Sequence, residues 1–245
     1  MPTPHDASTA DFEAWKDSYR EELQKVVAFS GQDADYFTEL KARALTDLVR
    51  RRVGDPARQT ILDVGCGVGI TDRYLVGAFG RVVGVDIFEG VLERAAVANP
   101  EADYRLYDGR TLPLEDASVD VAFAICVVHH VPPAQWQAFA AEMARVLRPG
   151  GIAAIFEHNP LNPLTRRVVS NCVFDEDAVL LRRRRAARLL RDAGLVPAED
   201  RYIAFLPFGG RAVAPVESAL RKVPLGAQYY VSAVRGGGPR SAAPA

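Results

Sequence analysis

Apolar residues recur along the chain with two different periods, and the switch between them predicts the fold. From Asp11 to about Arg52 the spacing is three and four, with Phe12, Trp15 and Tyr19 on one stripe and Phe37, Leu40, Ala44 and Leu48 on another. Such stripes predict amphipathic helices. Between them AFSGQDADYF predicts a loop, with a helix start at Gln32 or Asp33. Beyond Arg52, short apolar runs alternate with helical segments, the pattern of βαβ units on a parallel sheet. Strands are expected at 60–64, 81–86, 103–106, 119–125 and 151–157, and helices at 69–78, 88–97, 134–147 and 178–193, the third helix closed by Pro149-Gly150-Gly151. The runs ILDV, VVGV, VDVAFAI and GIAAIF are apolar on both faces, as strands covered by helices on each side must be. Tyr202–Leu206 and Tyr229–Val234 suit a final antiparallel pair. The ends, MPTPHDASTA and GGGPRSAAPA, offer little to bury, so residues 1–10 and 236–245 are expected as tails.

Composition narrows the function. A chain of 245 residues is one large domain, or one domain with a small lid. With 49% hydrophobic and 25% charged residues it reads as an ordinary globule rather than a disordered chain. Thirty basic residues against 31 acidic ones leave a net charge of -1, which gives no electrostatic case for nucleic acid or an anionic membrane as partner. Cys66, Cys126 and Cys172 are odd in number and widely spaced, which argues against disulfides or a thiolate zinc site and for a reducing compartment. The N-terminus has no apolar core of a signal peptide, and the longest apolar run, Val121 to Val128, falls far short of the roughly 20 residues that cross a bilayer. The expectation is a cytoplasmic protein with no membrane insertion.

The most informative stretch is Ile61-Leu62-Asp63-Val64-Gly65-Cys66-Gly67-Val68-Gly69, an apolar strand running into a glycine-rich turn and an expected helix. Glycines there let the backbone turn tightly and approach a ligand, and free amides at a helix start favour electronegative groups. A dinucleotide fingerprint needs a third glycine after two further residues, and that position is Ile70. The spacing is instead G-x-G-x-G, with Asp63 two residues before the first glycine. Asp86 ends the second strand, where an acid can accept hydrogen bonds from both ribose hydroxyls or cap the next helix.

The segment DVGCGVG resembles motif I of the class I S-adenosylmethionine-dependent methyltransferases. The resemblance implies an α/β fold, a Rossmann-like doubly wound sheet of seven mostly parallel strands with an antiparallel last strand, here with residues 11–52 as an N-terminal helical lid on a core of residues 53–235. It implies S-adenosylmethionine as cofactor, held by Asp63, Gly65, Cys66, Gly67, Gly69, Asp86 and Ile87. Asp108 and Gly109, in DGRTLPLEDASVD, resemble the family stretch that meets the adenine amino group. Cys126 falls in the segment after the fourth strand, and Tyr19 in the N-terminal helix is placed against the methionine carboxylate, with Arg20 an equal candidate.

Three of the four histidines, His129, His130 and His158, fall just past the expected carboxyl ends of strands four and five, where open α/β sheets bind ligands. A histidine there suits general-base work near neutrality, so His129 and His158 are the candidate catalytic residues, while His130 is read as capping or packing. Adjacent histidines do not readily share an ion and no carboxylate stands at ligand spacing in the sequence, so no metal is expected. In EHNPLNPLTRR, Pro160 and Pro163 disfavour a regular helix and suit a pocket wall. Arg182–Arg185 reads as the solvated face of a packed helix. The expected activity is transfer of a methyl group to a small-molecule acceptor, such as a hydroxyl of a secondary metabolite (an antibiotic, for instance) or a glycan- or lipid-linked intermediate, by a bacterial monomer or homodimer. A cofactor-binding protein that does not methylate, such as a cyclase or binding subunit, and a nicotinamide-dependent oxidoreductase remain open alternatives.

Overall fold

The computed structural model describes residues 24–25, 34–173, 175–205 and 219–237. Seven strands form one sheet: β1 (Thr60–Val64), β2 (Arg81–Asp86), β3 (Asp103–Leu106), β4 (Val119–Ile125), β5 (Leu147–His158), β6 (Leu195–Ile203) and β7 (Gln228–Arg235). Their order is β3-β2-β1-β4-β5-β7-β6. All neighbouring pairs up to β5 are parallel, and β7 runs antiparallel to both β5 and β6, so a single strand is reversed. The helices are α1 (Ala34–Arg52), α2 (Glu89–Ala98), α3 (Trp136–Val146), α4 (Pro163–Ser170) and α5 (Arg183–Asp192).

Side chains alternate across the sheet and fill two cores. Leu62, Val64, Ala122, Ala153 and Tyr229 pack with Phe139 and Met143 of α3 and Leu189 and Leu190 of α5. Ile61, Phe123, Ile152, Phe156 and Tyr230 pack on the other face with Leu45, Leu48 and Val49 of α1. The part of the expected lid that α1 represents is thus built into the sheet's own core, while Phe12, Trp15, Tyr19, Arg20 and the expected tails at 1–10 and 238–245 lie outside the described residues. Of the arginine run, Arg183 pairs with Asp200 and lies 4.8 Å over the Tyr202 ring, and Arg185 lies 5.9 Å over Trp136.

Several expected boundaries are corrected. Residues 69–78 form no regular helix but a single 3-10 turn at Asp72–Tyr74 followed by further turns. Glycines at 69 and 77 weaken the segment, and the Asp72 carboxylate is engaged by Tyr104. Helix α3 ends at Val146, before the Pro149-Gly150-Gly151 stop, because Leu147 already pairs with Val119 at the start of β5. The last crossover helix begins at Arg183 rather than 178. Strand β6 begins at Leu195, well before Tyr202. Its polar composition and Pro197 hide it, and both are tolerated because β6 is an edge strand with a register shift between Pro197 and Glu199. Pro163 does not prevent a helix: it occupies the first turn of α4, where its missing N–H costs nothing, and the Asn162 side chain caps the Leu164 and Thr165 amides.

Candidate active site

The carboxyl ends of β1, β2 and β3 carry one half of the site. Gly65 and Cys66 donate their amides to the Val85 carbonyl at 2.8 and 3.1 Å, stapling the turn to β2. The Gly67 amide donates to Asp86 Oδ2 at 2.9 Å, and Gly69 to the Cys66 carbonyl at 3.0 Å. These four amides are therefore spent inside the protein, which corrects the expectation of free donors at a helix start. What the glycines supply is room. At Gly69, φ is +72° and a Cβ would stand 2.5 Å from Asn99 Nδ2 and 2.7 Å from the Tyr104 hydroxyl, whereas at Gly67 it would meet nothing within 4 Å, so the crest of the turn is open.

Asp86 is buried, and its Oδ1 accepts from the amides of Ile87 at 2.8 Å and Phe88 at 3.2 Å. Burial raises its pKa, and the three backbone donors oppose that rise. The carboxylate thus ties the glycine turn to the start of α2 while Oδ2, which takes a single amide, keeps acceptor capacity. Asp108 is exposed; its Oδ1 takes the amides of Thr111 and Arg110 at 2.7 and 2.8 Å, which hold it below the usual carboxylate range. Gly109 sits against Ile87, whose Cγ2 would lie 3.4 Å from an added Cβ. Asp63 is buried beside Asp72, and burial followed by that neighbouring carboxylate raises its pKa well above normal. Burial pushes Asp72 up to about 6, against hydrogen bonds from Tyr104 and Asp63 that lower it. Tyr104 donates to Asp72 Oδ2 at 2.8 Å, and Asn99 Nδ2 to the Gly69 carbonyl at 3.0 Å. Asp63 Oδ1 has no hydrogen-bond partner. Nothing in the sequence around Asp72, Asn99 or Tyr104 singles them out, since only the tertiary fold brings them under the turn.

The ends of β4 and β5 carry the other half. Cys126 leaves β4 at φ +57°, with its sulfur 3.7 Å from Gln228 Nε2 and 4.0 Å from Lys41 Nζ. Gln228 Oε1 is buried and unpartnered. A 3-10 turn at Val128–His130 follows, fixed by Trp136 Nε1 donating to the Val128 and Val131 carbonyls. His129 is buried there with both ring nitrogens engaged: Nδ1 lies 2.5 Å from Glu157 Oε2 and Nε2 lies 3.1 Å from Asp175 Oδ1. Burial lowers its pKa, but the Glu157 charge and the hydrogen bonds to Asp175 and Glu157 override this and raise it well above normal. His158 is half-buried, its ring 5.3 Å from that of His129, and burial with the His129 charge brings its pKa down to about 4. His130 Nε2 stands 3.5 Å from Asp175 Oδ1. The carboxylates that the sequence spacing did not reveal thus come from a distance: Glu157 from the end of β5, where an acid follows an apolar run, and Asp175 from a loop with no local signal. That loop is held by Val179 donating to the His129 carbonyl at 2.9 Å. Asn159 donates through Nδ2 to the Pro224 and Gly226 carbonyls, closing the wall beside His158.

Residues 62–155 match the family model described as a methyltransferase domain. An uncharacterized methyltransferase of Synechocystis is 35% identical over 105 residues, covering 42% of this chain and 50% of its own. An O-methyltransferase of Aspergillus sclerotiorum is 30% identical over 162 residues, covering 60% of this chain and 61% of its own. The chain spans half or less of the first three curated relatives, 50%, 46% and 33% of their lengths. A solved Thermotoga maritima methyltransferase, described as a possible histamine N-methyltransferase, superposes with a TM-score of 0.65 at 20% identity, over 91% of this chain and 98% of its own. The strand order with its one reversed strand, the glycine turn tied to Asp86 and the matched segment agree: residues 62–155 are similar to a methyltransferase domain, and the sheet has the Rossmann-like fold of solved S-adenosylmethionine-dependent methyltransferases.

Proposed function

We propose that the protein transfers the methyl group of S-adenosylmethionine to a hydroxyl of a small molecule. The observation that carries this reading is the meeting of two unlike half-sites at the carboxyl ends of the strands: buried or turn-held carboxylates on one side, and an imidazole cluster on the other. The donor set fits the cofactor. An open turn crest at Gly67 admits a ligand, Asp86 suits ribose hydroxyls, Asp108 with Gly109 and Ile87 suits an adenine edge, and the unpartnered Asp63 oxygen suits an ammonium group. Cys126 and the turn at Gly65, Cys66 and Gly69 would line the rest; Tyr19 is a proposed contact outside the described residues. When bound, the cofactor supplies a methyl group on a sulfonium sulfur, an electrophile with a good leaving group. The chain's own task is to align the acceptor and exclude water.

His158 is the proposed proton acceptor. With its pKa near 4 it is neutral at pH 7, a weak base that accepts the proton only as the acceptor oxygen gives up its charge to the methyl group, and among the described residues no carboxylate is hydrogen-bonded to its ring. His129 has no ring nitrogen to spare and acts as a positioning residue, an imidazolium that holds Glu157 and Asp175. Exposed Leu161, Leu164, Val179 and Leu225 surround this wall, with Leu225 tied to Asn162 at 2.7 Å, which supports an acceptor with an apolar body. The O-methyltransferase relative supports oxygen as the atom methylated. The test is methyl transfer from labelled S-adenosylmethionine to a panel of phenols, sugars and their amine and thiol analogues. The expected result is a hydroxyl product whose turnover falls at least tenfold in His158→Ala with cofactor affinity unchanged. Transfer only to amines or thiols, or full turnover in the variant, would contradict it.

A further inference from the structure

One ring nitrogen from His129, one from His158 and one carboxylate oxygen from Asp175 all lie within 4.8 Å of one another. They come from three separate segments, the turn after β4, the end of β5 and the loop before α5. His129 Nε2 and Asp175 Oδ1 are 3.1 Å apart. Two atoms bound to one ion at about 2.0–2.2 Å stand roughly 2.8–3.6 Å apart as the bond angle opens from about 90° to tetrahedral, a range that contains this separation. Behind His129, the opposite nitrogen faces Glu157 Oε2 at 2.5 Å, and Glu157 Oε1 accepts the His129 amide at 3.3 Å. A fully buried carboxylate on the far side of an imidazole is the support that fixes the ring and tautomer of a metal-bound histidine.

From this geometry we infer that His129 Nε2, His158 and Asp175 form a binding site for one divalent transition-metal ion of the zinc or iron(II) class. Two imidazoles with one carboxylate favour such ions over magnesium or calcium, which take oxygen ligands. Three protein ligands leave a coordination position open to water or to an acceptor oxygen. Whether the ion binds does not depend on the proposed activity. What it does there rests on that reading: an ion at this place holds the acceptor hydroxyl and lowers its pKa, and His158 then serves as a ligand instead of the proton acceptor. Binding displaces the proton from His129 Nε2, so uptake of the ion releases a proton to buffer.

The test uses the full chain, stripped with a chelator and titrated with zinc chloride by calorimetry in two buffers of different ionisation enthalpy, with the bound metal counted by elemental analysis after dialysis. The expected result is one zinc per chain with proton release. Affinity should fall at least a hundredfold in Asp175→Ala and in His158→Ala, and about 10–100-fold in Glu157→Gln, which touches no ion and acts through His129. S-adenosylhomocysteine binding to the same variants checks that they are folded. No retained zinc in the wild type, or equal retention in Asp175→Ala and His158→Ala, would overturn the site. Zinc bound by the wild type without any cofactor binding would support the site and sink the methyl-transfer reading; cofactor binding and undiminished methyl transfer by metal-free protein that takes up no zinc would do the reverse.

Discussion

At the residue scale the account rests on groups whose surroundings decide what they can do. His129 and His158 look equivalent in the sequence, and burial between two carboxylates separates them. Removing His129 leaves Glu157 buried with its main counter-charge gone, a change that costs about 3–5 kcal/mol. His129→Ala should therefore melt far below wild type, whereas His158→Ala, with no carboxylate bonded to its ring, should melt within a few degrees of it; calorimetric melting of the two variants checks this, and equal losses would contradict the assignment. Of the carboxylates on the proposed cofactor side, Asp63 and Asp86 were legible because each belongs to the end of an apolar strand, whereas Asp108, after the polar strand β3, was picked out only by the resemblance of its stretch to the family. Asp72, Asp175 and Lys41 were not, because each reaches the site from a turn, loop or helix whose local sequence has no period pointing there.

Among the elements, those with strong apolar runs were read nearly to the residue and those governed by caps and edges were not. Strands β1, β2, β3 and β4 fall where the alternation placed them. Strand β6 was hidden by Pro197 and its polar face, and α4 by two prolines, although Asn162 before Pro163 is itself a helix-start signal. That cap has two tasks, since the Asn162 side chain accepts from Leu164 and Thr165 and donates to the Leu225 carbonyl at 2.7 Å. Asn162→Ala is expected to cost about 1 kcal/mol, lowering the melting temperature by about 2–4 °C in a chain of this size. Hydrogen exchange should quicken first in residues 163–170 and at the 224–227 turn, and uniform quickening across the sheet would contradict a local role.

For the whole molecule, the parallel strands β1, β2, β4 and β5 follow from sequence because a sheet buried on both faces advertises them, the reversed strand was implied by the family resemblance, and the meeting of the two half-sites depends on the crossover connections. Their electrostatics set a pH dependence. Asp72 has its pKa raised by burial to about 6, and Asp63 is raised further by burial beside it. A raised pKa favours the folded state fully below the ordinary carboxylate value of about 4, and that contribution is lost as pH rises through about 6 and beyond. The depressed pKa of His158 acts in the opposite sense below about pH 6.5, so the contribution of Asp72 is read as a difference: the melting temperature of wild type relative to Asp72→Asn, which can still accept from Tyr104, should fall from pH 5 to pH 8, and a pH-independent difference would contradict a shared proton. The central claim, that the carboxylates around the glycine turn hold S-adenosylmethionine, is tested most directly by calorimetric titration of the full chain with S-adenosylmethionine and S-adenosylhomocysteine, beside NAD, on wild type, Asp86→Ala and Asp108→Ala. The account predicts binding of both sulfur ligands and not of NAD, loss of binding in Asp86→Ala, and weakened binding with unchanged melting in Asp108→Ala, where the carboxylate is exposed. No binding by the wild type, a preference for NAD, or full affinity in Asp86→Ala would contradict it.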